Sequence, residues 1–215
     1  MTWWQAIILG LVEGITEYLP ISSTGHLIIT TALLGLDDPS VKRAADTFTI
    51  VVQGGAIIAV LGLYRRRVLQ MIRGLLGKDQ AGRKLFVNLL IAFMPAAILG
   101  VLLNDLIETH LFRLTPVLLA LALGGVWMIW LDRRNKRRGD VDQWTDIEEL
   151  SGLQALMIGL IQVVAMWPGT SRSMMTIVGG YIVGLKPARA AEFSFLLGLI
   201  TLSAAAGYRA LTHGP

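Results

Sequence analysis

The sequence contains no cysteine and few charged residues, and both shortages restrict what the protein can be. Without cysteine there is neither a disulfide framework nor a thiolate metal site, so the redox compartment is left open. Charged residues make up 16% of the 215 residues, well below the quarter or so that is usual in soluble domains. Hydrophobic residues reach 54% and the mean hydropathy is +0.62. The composition therefore predicts a membrane protein.

The net charge of +4 is not spread evenly along the chain, because basic residues gather in two clusters. The first cluster comprises residues 65–67 with Arg73 and Lys78, and the second occupies residues 133–138. Nucleic-acid binding is one explanation, but each cluster adjoins a hydrophobic run, which favours cytoplasmic anchors of membrane helices. We therefore expect no nucleic-acid partner. The N-terminus lacks a basic region and a small-residue cleavage site, so we also expect no removable signal peptide.

Four apolar runs have the length of a membrane-spanning helix, which needs roughly 20 mostly apolar residues. They are residues 44–64, 85–103, 114–131 and 190–211, the last beginning close to Glu192. If both basic clusters are cytoplasmic, the first run points inward, the second outward and the third inward again. The expected fold class is an all-α polytopic membrane protein with about four full spans.

Two further apolar segments, residues 3–36 and 153–185, are each interrupted by proline, glycine and hydroxyl residues. The apolar pieces on either side of each interruption are too short to span a bilayer individually. Non-helical backbone at membrane depth is tolerated only where it is buried in protein or lines a wet cavity. Both segments are therefore predicted to form re-entrant helical hairpins, with their polar tips near the membrane interior.

The two predicted hairpins resemble each other in sequence. "LGLVEGITEYLPISST" (9–24) aligns with "IGLIQVVAMWPGTSR" (158–172), and downstream "RAADTF" (43–48) aligns with "RAAEFS" (189–194). The alignment pairs Glu13 with Gln162, Pro20 with Pro168, Ser23 with Ser171, and Asp46 with Glu192. Hydrophobic segments match easily by chance, but two blocks in the same order at a nearly constant offset favour a duplication.

An inverted-topology repeat follows from this duplication, because three spans separate the copies and reverse their orientation. Repeat one covers about residues 1–140, and repeat two covers about residues 151–215. The first repeat continues with the runs 85–103 and 114–131, whereas the sequence ends at Pro215. Symmetry therefore predicts two further C-terminal spans that the second repeat lacks here.

Glu13 and Glu17 are spaced i and i+4, so a helix places both carboxylates on one face. Surface helices often show this spacing, but the neighbours here are apolar and no lysine is near enough to pair. Carboxylates within a membrane segment are costly and mark a functional site by default. Two such groups can share a cation, and hard oxygen ligands suit Mg²⁺ or Ca²⁺ with part of the coordination supplied by a substrate phosphate.

The second hairpin supplies the opposite charge. In "WPGTSRSMMT" (167–176), a Pro-Gly turn precedes Arg172 and several hydroxyl residues at the start of a predicted helix. Such a helix N-terminus suits an anion, and the planar fork of arginine fits a phosphate bidentately. A snorkelling interfacial arginine would not explain the surrounding hydroxyl groups. Together the two hairpins hold the parts for phosphoryl transfer, namely charge neutralisation, a nucleophile and a proton acceptor.

These motifs resemble the bacterial undecaprenyl-pyrophosphate phosphatase family, the integral membrane enzymes linked to bacitracin resistance. The matching blocks run from Glu13 to His26, from Pro168 to Ser173 ("PGTSRS"), and over "EFSFLL" at 192–197. The resemblance implies hydrolysis of undecaprenyl pyrophosphate to undecaprenyl phosphate and inorganic phosphate, which recycles the lipid carrier for cell-envelope synthesis. It also implies a divalent cation, Mg²⁺ or Ca²⁺, and an active site that faces the periplasm from the bacterial inner membrane.

The resemblance also implies roles for individual residues. Glu13 and Glu17 would handle metal or proton, and either Ser23 or His26 would attack the phosphate. We favour Ser23 activated by Glu17, with His26 protonating the leaving group or orienting the phosphate. Arg172 would clamp the pyrophosphate. The substrate pocket would further comprise Ser22, Thr24, Ser171, Ser173 and Thr176.

One local departure from the family pattern concerns Met174 and Met175, which stand where family members often carry small residues. These side chains predict a narrower pocket behind Arg172.

A transporter for a phosphate-bearing lipid is the main competing hypothesis, because inverted repeats and broken helices are usual in secondary transporters. The carboxylate pair favours the enzyme, since an anion carrier gains little from two acids beside its substrate unless a cation bridges them. A non-catalytic scaffold leaves the cost of Glu13, Glu17 and Arg172 unexplained. The expected partners are a prenyl pyrophosphate lipid and membrane lipids, with a homodimer as a further candidate.

Overall fold

The computed structural model describes residues 1–136 and 144–212, and the regular elements in these ranges are helices. They are α1 (Trp3–Thr16), α2 (Ser23–Leu33), α3 (Pro39–Leu63), α4 (Arg65–Leu75), α5 (Gln80–His110), α6 (Leu114–Lys136), α7 (Gly152–Gln162), a 3₁₀ helix (Val163–Met166), α8 (Arg172–Ile182) and α9 (Pro187–Thr212). Within the same ranges, a bridge pair joins Thr145 and Leu185. The all-α prediction is confirmed for these ranges, and residues 137 and 138 of the second basic cluster lie outside them.

Four helices in the described ranges are long and apolar enough to cross a membrane. The candidate spans are Ser40–Leu63, Gln80–Ile107, Leu114–Leu131 and Pro187–Tyr208. They confirm the four spans predicted from hydropathy, and the chain is a multi-pass membrane protein. Helix α5 extends beyond the predicted run at both ends: its 31 residues correspond to about 46 Å at 1.5 Å per residue. That length exceeds the roughly 30 Å of a hydrocarbon core, so polar residues at its ends can reach the interfaces.

Each interrupted segment folds as short helices separated by a turn. Residues 17–22 separate α1 from α2, and residues 167–171 separate the 3₁₀ helix from α8. Helix α1 has 14 residues, or about 21 Å, which is too short to cross the hydrocarbon core. The breaks lie where the sequence predicts them, and re-entry of these segments into the membrane stays a prediction.

A serine caps the helix that follows each turn. The Ser22 side chain accepts a hydrogen bond from the Gly25 amide at 3.3 Å, and Ser171 accepts one from the Met174 amide at 3.2 Å. The sequence alignment pairs Ser171 with Ser23, whereas the caps pair it with Ser22. The difference arises because the second turn has one more residue between its proline and its cap.

Both turns contain a residue with positive φ. Ser22 has a φ of 64°, a conformation that costs a non-glycine residue on the order of 1–3 kcal/mol. In the second turn glycine supplies this conformation, because Gly169 has a φ of 97° and a Cβ there would lie 2.4 Å from the Val117 carbonyl oxygen. The first turn therefore holds a serine where the backbone alone would favour glycine, which indicates that the Ser22 hydroxyl is needed.

The main hydrophobic core joins α5, α7 and α9 through residues such as Leu89, Ile158 and Phe193. Helix α7 approaches α5 so closely that a Cβ on Gly159 would lie 2.3 Å from the Ala92 carbonyl oxygen. A second cluster joins α1, α2 and the start of α3, and α3 in turn packs against α9. This packing brings the two turns together: the Ser173 hydroxyl donates to the Leu19 carbonyl at 2.8 Å.

Candidate active site

Glu17 links the two turns through its two carboxylate oxygens. One oxygen, Oε2, accepts a hydrogen bond from the Ser23 hydroxyl, and the other, Oε1, accepts one from the Arg172 guanidinium at 2.7 Å. Glu17 and Ser23 are both buried. A single carboxylate thus contacts the predicted nucleophile on one side and the predicted phosphate clamp on the other.

Arg172 is positioned by α9. Its Nη1 donates to the Ser194 carbonyl at 3.2 Å. The guanidinium lies against Gly198, where an added Cβ would approach Nη1 to 2.3 Å. The hydroxyl groups of Thr176 and Ser194 lie 2.6 Å apart and join α8 to α9 just behind this contact. The orientation of Arg172 therefore depends on the small residues Ser194 and Gly198 within "EFSFLLG".

Glu13 and Gln162 are buried without hydrogen-bond partners. Glu13 is 1% and Gln162 is 2% exposed. Both carboxylate oxygens of Glu13, and both Oε1 and Nε2 of Gln162, have no partner among the described residues. Buried polar groups are nearly always hydrogen-bonded, so each exception indicates a ligand, a water or an ion. The sequence alignment pairs these same two residues.

A cavity of about 370 Å³ lies between the two turns. Glu17 and Gln162 line it together with residues of both tips. The tip residues are Ser22, Ser23 and Thr24 from the first turn and the start of α2, and Thr170, Ser171 and Arg172 from the second turn and the start of α8. The structure therefore brings six of the predicted site residues to one cavity, namely Glu17, Ser22, Ser23, Thr24, Ser171 and Arg172.

Ser173 and Thr176 lie behind the cavity instead of lining it. Both are fully buried, and their hydroxyl groups are occupied by contacts within the protein. The Ser173 hydroxyl shares a hydrogen bond with the Ser171 hydroxyl and donates one to the Leu19 carbonyl. The Thr176 hydroxyl shares a hydrogen bond with the Ser194 hydroxyl. Their geometry supports the position of Arg172, and direct contact with substrate stays a prediction.

The expected narrowing of the pocket by Met174 and Met175 is wrong. Both side chains are buried in a cluster with Trp127 and Met128 of α6, and neither lines the cavity. Helical geometry turns Met174, at i+2 from Arg172, away from the face that carries the arginine side chain, whereas Met175, at i+3, is kept from the cavity by its packing in this cluster. The methionines fill the contact between α8 and α6.

His26 lies next to the first turn and does not line the cavity. Its Nδ1 is 2.8 Å from the Ser22 carbonyl oxygen. Because a carbonyl can only accept, Nδ1 carries the proton in this contact, and the lone pair of the neutral ring is on Nε2. His26 therefore holds the backbone of Ser22, which favours an orienting role over nucleophilic attack.

Several residues that line the cavity are not among the site residues predicted from the sequence. They are Gln53 of α3, Gly100 and Asn104 of α5, Gln162 of α7 and Thr201 of α9. Gln162 had a signal in the sequence, since the repeat alignment placed it opposite Glu13. The others are single polar or small residues within apolar spans, and only the packing of the spans shows where they face.

Glu13 and Glu17 are the candidate ligands for a divalent cation, and of the two only Glu17 lines the cavity. The two carboxylates lie one helical turn apart, and both oxygens of Glu13 are uncommitted. In the described ranges there is no group of three or more His, Cys, Asp or Glu residues that could hold a metal. Two carboxylates with the remaining ligands from water and phosphate are the arrangement that Mg²⁺ prefers in phosphoryl-transfer sites.

Comparison with known proteins places these features in a family. A family model described as "Bacitracin resistance protein BacA" matches residues 6–214. An "Undecaprenyl-diphosphatase" of Sorangium cellulosum is 44% identical over 214 residues, covering 100% of this chain and 68% of the relative. "Undecaprenyl-diphosphatase 2" of Rhodospirillum rubrum is 47% identical, covering 98% and 76%, and an "Undecaprenyl-diphosphatase" of Nitrosomonas europaea is 46% identical, covering 97% and 73%.

Proposed function

Because the chain belongs to the bacitracin resistance protein BacA family, we propose that it hydrolyses undecaprenyl pyrophosphate to undecaprenyl phosphate and inorganic phosphate. The relatives named for this activity are similar to this chain over nearly its whole length. The observation that carries the mechanism is the position of Glu17 between the Ser23 hydroxyl and the Arg172 guanidinium. The product would return to cell-envelope synthesis as the lipid carrier.

In this mechanism Ser23 attacks the terminal phosphorus. Its proton passes to the Glu17 carboxylate, with which it already shares a hydrogen bond. A bond forms between Ser23 Oγ and phosphorus while the anhydride P–O bond breaks, and undecaprenyl phosphate leaves. Water then attacks the phosphoserine, releasing inorganic phosphate and restoring the Ser23 hydroxyl.

Arg172 binds the phosphate groups in this proposal. A guanidinium has five N–H donors, and the contacts to Glu17 and Ser194 use two of them. The others remain for phosphate oxygens, where a planar fork gives bidentate contact and offsets the charge that develops during transfer. Arg172 is also held close to Ser23 through their shared partner Glu17, so the bound phosphorus lies near the attacking oxygen.

Glu13 and Glu17 would hold a divalent cation, Mg²⁺ or Ca²⁺. The cation would neutralise the charge of the pyrophosphate and thereby activate it toward attack. The unpartnered Glu13 oxygens support this assignment. The unpartnered amide of Gln162 would provide a second contact to the substrate, because Gln162 lines the cavity and its Nε2 can donate a hydrogen bond to a phosphate oxygen.

The proposed location is the bacterial inner membrane, with the cavity open to the periplasm and the basic cluster at 65–67 in the cytoplasm. Two short helix pairs with breaks at their polar turns support re-entrant hairpins, and the shared serine caps support an inverted repeat. Cysteines introduced separately at the exposed residues Lys78 and Thr109 test this topology, because these positions lie on either side of the candidate span Gln80–Ile107. An impermeant thiol reagent on intact spheroplasts should label only the Thr109 variant. Labelling of the Lys78 variant would reverse the orientation.

The activity is tested by phosphate release from a prenyl pyrophosphate. We expect the purified protein in detergent to release inorganic phosphate with Mg²⁺ or Ca²⁺, and the Glu17→Gln variant to lose this activity while it remains folded. The chemistry separates the enzyme from a transporter, since transport requires two compartments and detergent micelles have none. Folded wild-type protein without any phosphate release would contradict the proposal.

A further inference from the structure

A second cavity, of about 690 Å³, lies where α3 meets α4 beside the start of α9. It shares no lining residue with the catalytic cavity. Arginines dominate its wall. The lining residues are Gly62, Leu63, Tyr64, Arg65, Arg66, Arg67, Gln70, Arg189 and Glu192.

Two of the four arginines are neutralised by the protein itself. Glu192 accepts hydrogen bonds from Arg67 and Arg189, each at 2.7 Å, so these three side chains form an ion-paired wall. Arg65 and Arg66 are exposed and form no ion pair with any described residue. The cavity therefore presents two uncompensated guanidinium groups, which together favour an anionic occupant.

The start of α4 adds positive potential to the same place. Helix α4 begins at Arg65 with no side-chain cap and no acidic residue in its first turn. A helix N-terminus carries a partial positive charge and free N–H groups, so cations there are unfavourable. Residues 65–67 are nevertheless all arginine. An anion bound at this point would satisfy both the free N–H groups and the side chains.

The cavity lies at the boundary of the membrane, because Leu63 is the last residue of the α3 span. Beyond it, α4 exposes the apolar side chains of Leu69, Ile72 and Leu75, while its Met71 and Gly74 are buried. A basic helix with an exposed apolar stripe is typical of an element that lies in the membrane interface. Membrane helices prefer basic residues at their cytoplasmic ends, which explains why arginines follow Leu63. That preference does not explain why these arginines line one cavity, or why α4 has no side-chain cap.

We propose that this cavity binds the phosphate headgroup of an anionic phospholipid of the surrounding membrane. Arg65 and Arg66 contact the phosphate together with the free N–H groups at the start of α4. The acyl chains lie beside the apolar stripe of α4, in the same leaflet. Basic pockets at the ends of membrane helices bind headgroups in this way. The site is independent of the phosphatase reaction.

The test uses the full chain in an uncharged detergent and three probes at matched phosphate concentration: phosphatidylglycerol, phosphatidylcholine and inorganic phosphate. Thermal unfolding is followed by tryptophan fluorescence. The test variant is Arg65→Gln with Arg66→Gln, and the control is Arg73→Gln, which changes an exposed arginine of the same helix outside the cavity. Neither Arg65 nor Arg66 has a described ion-pair partner, so the test variant should fold. Each single variant provides a second measurement.

We expect phosphatidylglycerol to raise the midpoint of unfolding and phosphatidylcholine to leave it unchanged. The Arg65→Gln, Arg66→Gln variant should bind phosphatidylglycerol tenfold or more weakly, because it loses charge-assisted hydrogen bonds. The Arg73→Gln variant should bind like the wild type. If the double variant and the Arg73→Gln variant bound phosphatidylglycerol equally weakly, diffuse surface charge would explain the binding and the proposal would be overturned. An equal shift with phosphatidylcholine, or with inorganic phosphate alone, would also overturn it.

Discussion

Replacing Gln162 with leucine should stabilise the protein and impair its reaction at the same time. The Gln162 amide is 2% exposed, and neither its oxygen nor its nitrogen has a partner among the described residues. Leaving a buried polar group unpaired costs about 1–3 kcal/mol, and leucine removes that cost with little change in volume. For a chain of this size, 1 kcal/mol corresponds to roughly 2–4 °C in the unfolding midpoint, so we expect a rise of about 2–12 °C.

The same substitution removes a donor to the substrate phosphate. A hydrogen bond to a charged group is worth about 1.5–3 kcal/mol, so kcat/KM should fall by about 10- to 150-fold. Asn88→Leu is the matched control. Asn88 is 3% exposed and lies outside the catalytic cavity, and its side chain donates to the Leu150 carbonyl at 2.8 Å. That variant should lose about 1–3 kcal/mol of stability and keep the kcat/KM of the folded enzyme.

Two assays on both variants test these predictions: thermal unfolding in detergent and phosphate release from a prenyl pyrophosphate. A lower midpoint for Gln162→Leu would show that its amide has a structural partner, such as a bound water. An unchanged kcat/KM would show that the amide does not contact the substrate. Either result would refute the reasoning from the unpartnered amide.

Three further predictions concern residues around the two cavities. Arg172→Lys should lower kcat/KM by at least about 100-fold, because a point charge replaces a bidentate fork, as measured by steady-state phosphate release. Gly198→Val should lower activity by displacing the Arg172 guanidinium; unchanged activity in folded protein would contradict this. Arg67→Gln should lower the unfolding free energy by about 2–3 kcal/mol. Removing the sole partner of a buried charge costs about 3–5 kcal/mol, and the loss here is smaller because Arg189 still pairs with Glu192. Denaturant titration of the Arg67 variant checks this value.

Sequence alone predicts the parts of the fold that depend on local composition. The four spans follow from length and hydropathy, and the breaks at residues 17–22 and 167–171 follow from proline, glycine and hydroxyl residues. The cost of burying charge also predicts the site, because Glu17 and Arg172 are tolerated within a membrane segment only if they form an ion pair. In the structure they do meet, at 2.7 Å.

The remaining features depend on packing that periodicity does not report. The sequence places Met174 and Met175 behind Arg172, but the side on which they point depends on the contact of α8 with α6. The role of Gly198 requires the approach of α9 to Arg172. The one-residue difference between the sequence alignment and the caps arises from the length of the second turn. Gln162 had a signal in the repeat, but its lack of a partner is visible only in the assembled site.

The proposed mechanism depends most on Ser23 as the nucleophile, with Glu17 as its base. Rapid quenching of the enzyme with substrate labelled in the terminal phosphate tests this directly. The structure predicts an acid-stable phosphoserine at Ser23, because the Ser23 hydroxyl already donates to Glu17 at the cavity wall. The adduct should be absent from Ser23→Ala, and turnover of that variant should be largely lost. An acid-labile adduct on His26, or full activity in Ser23→Ala, would contradict the account.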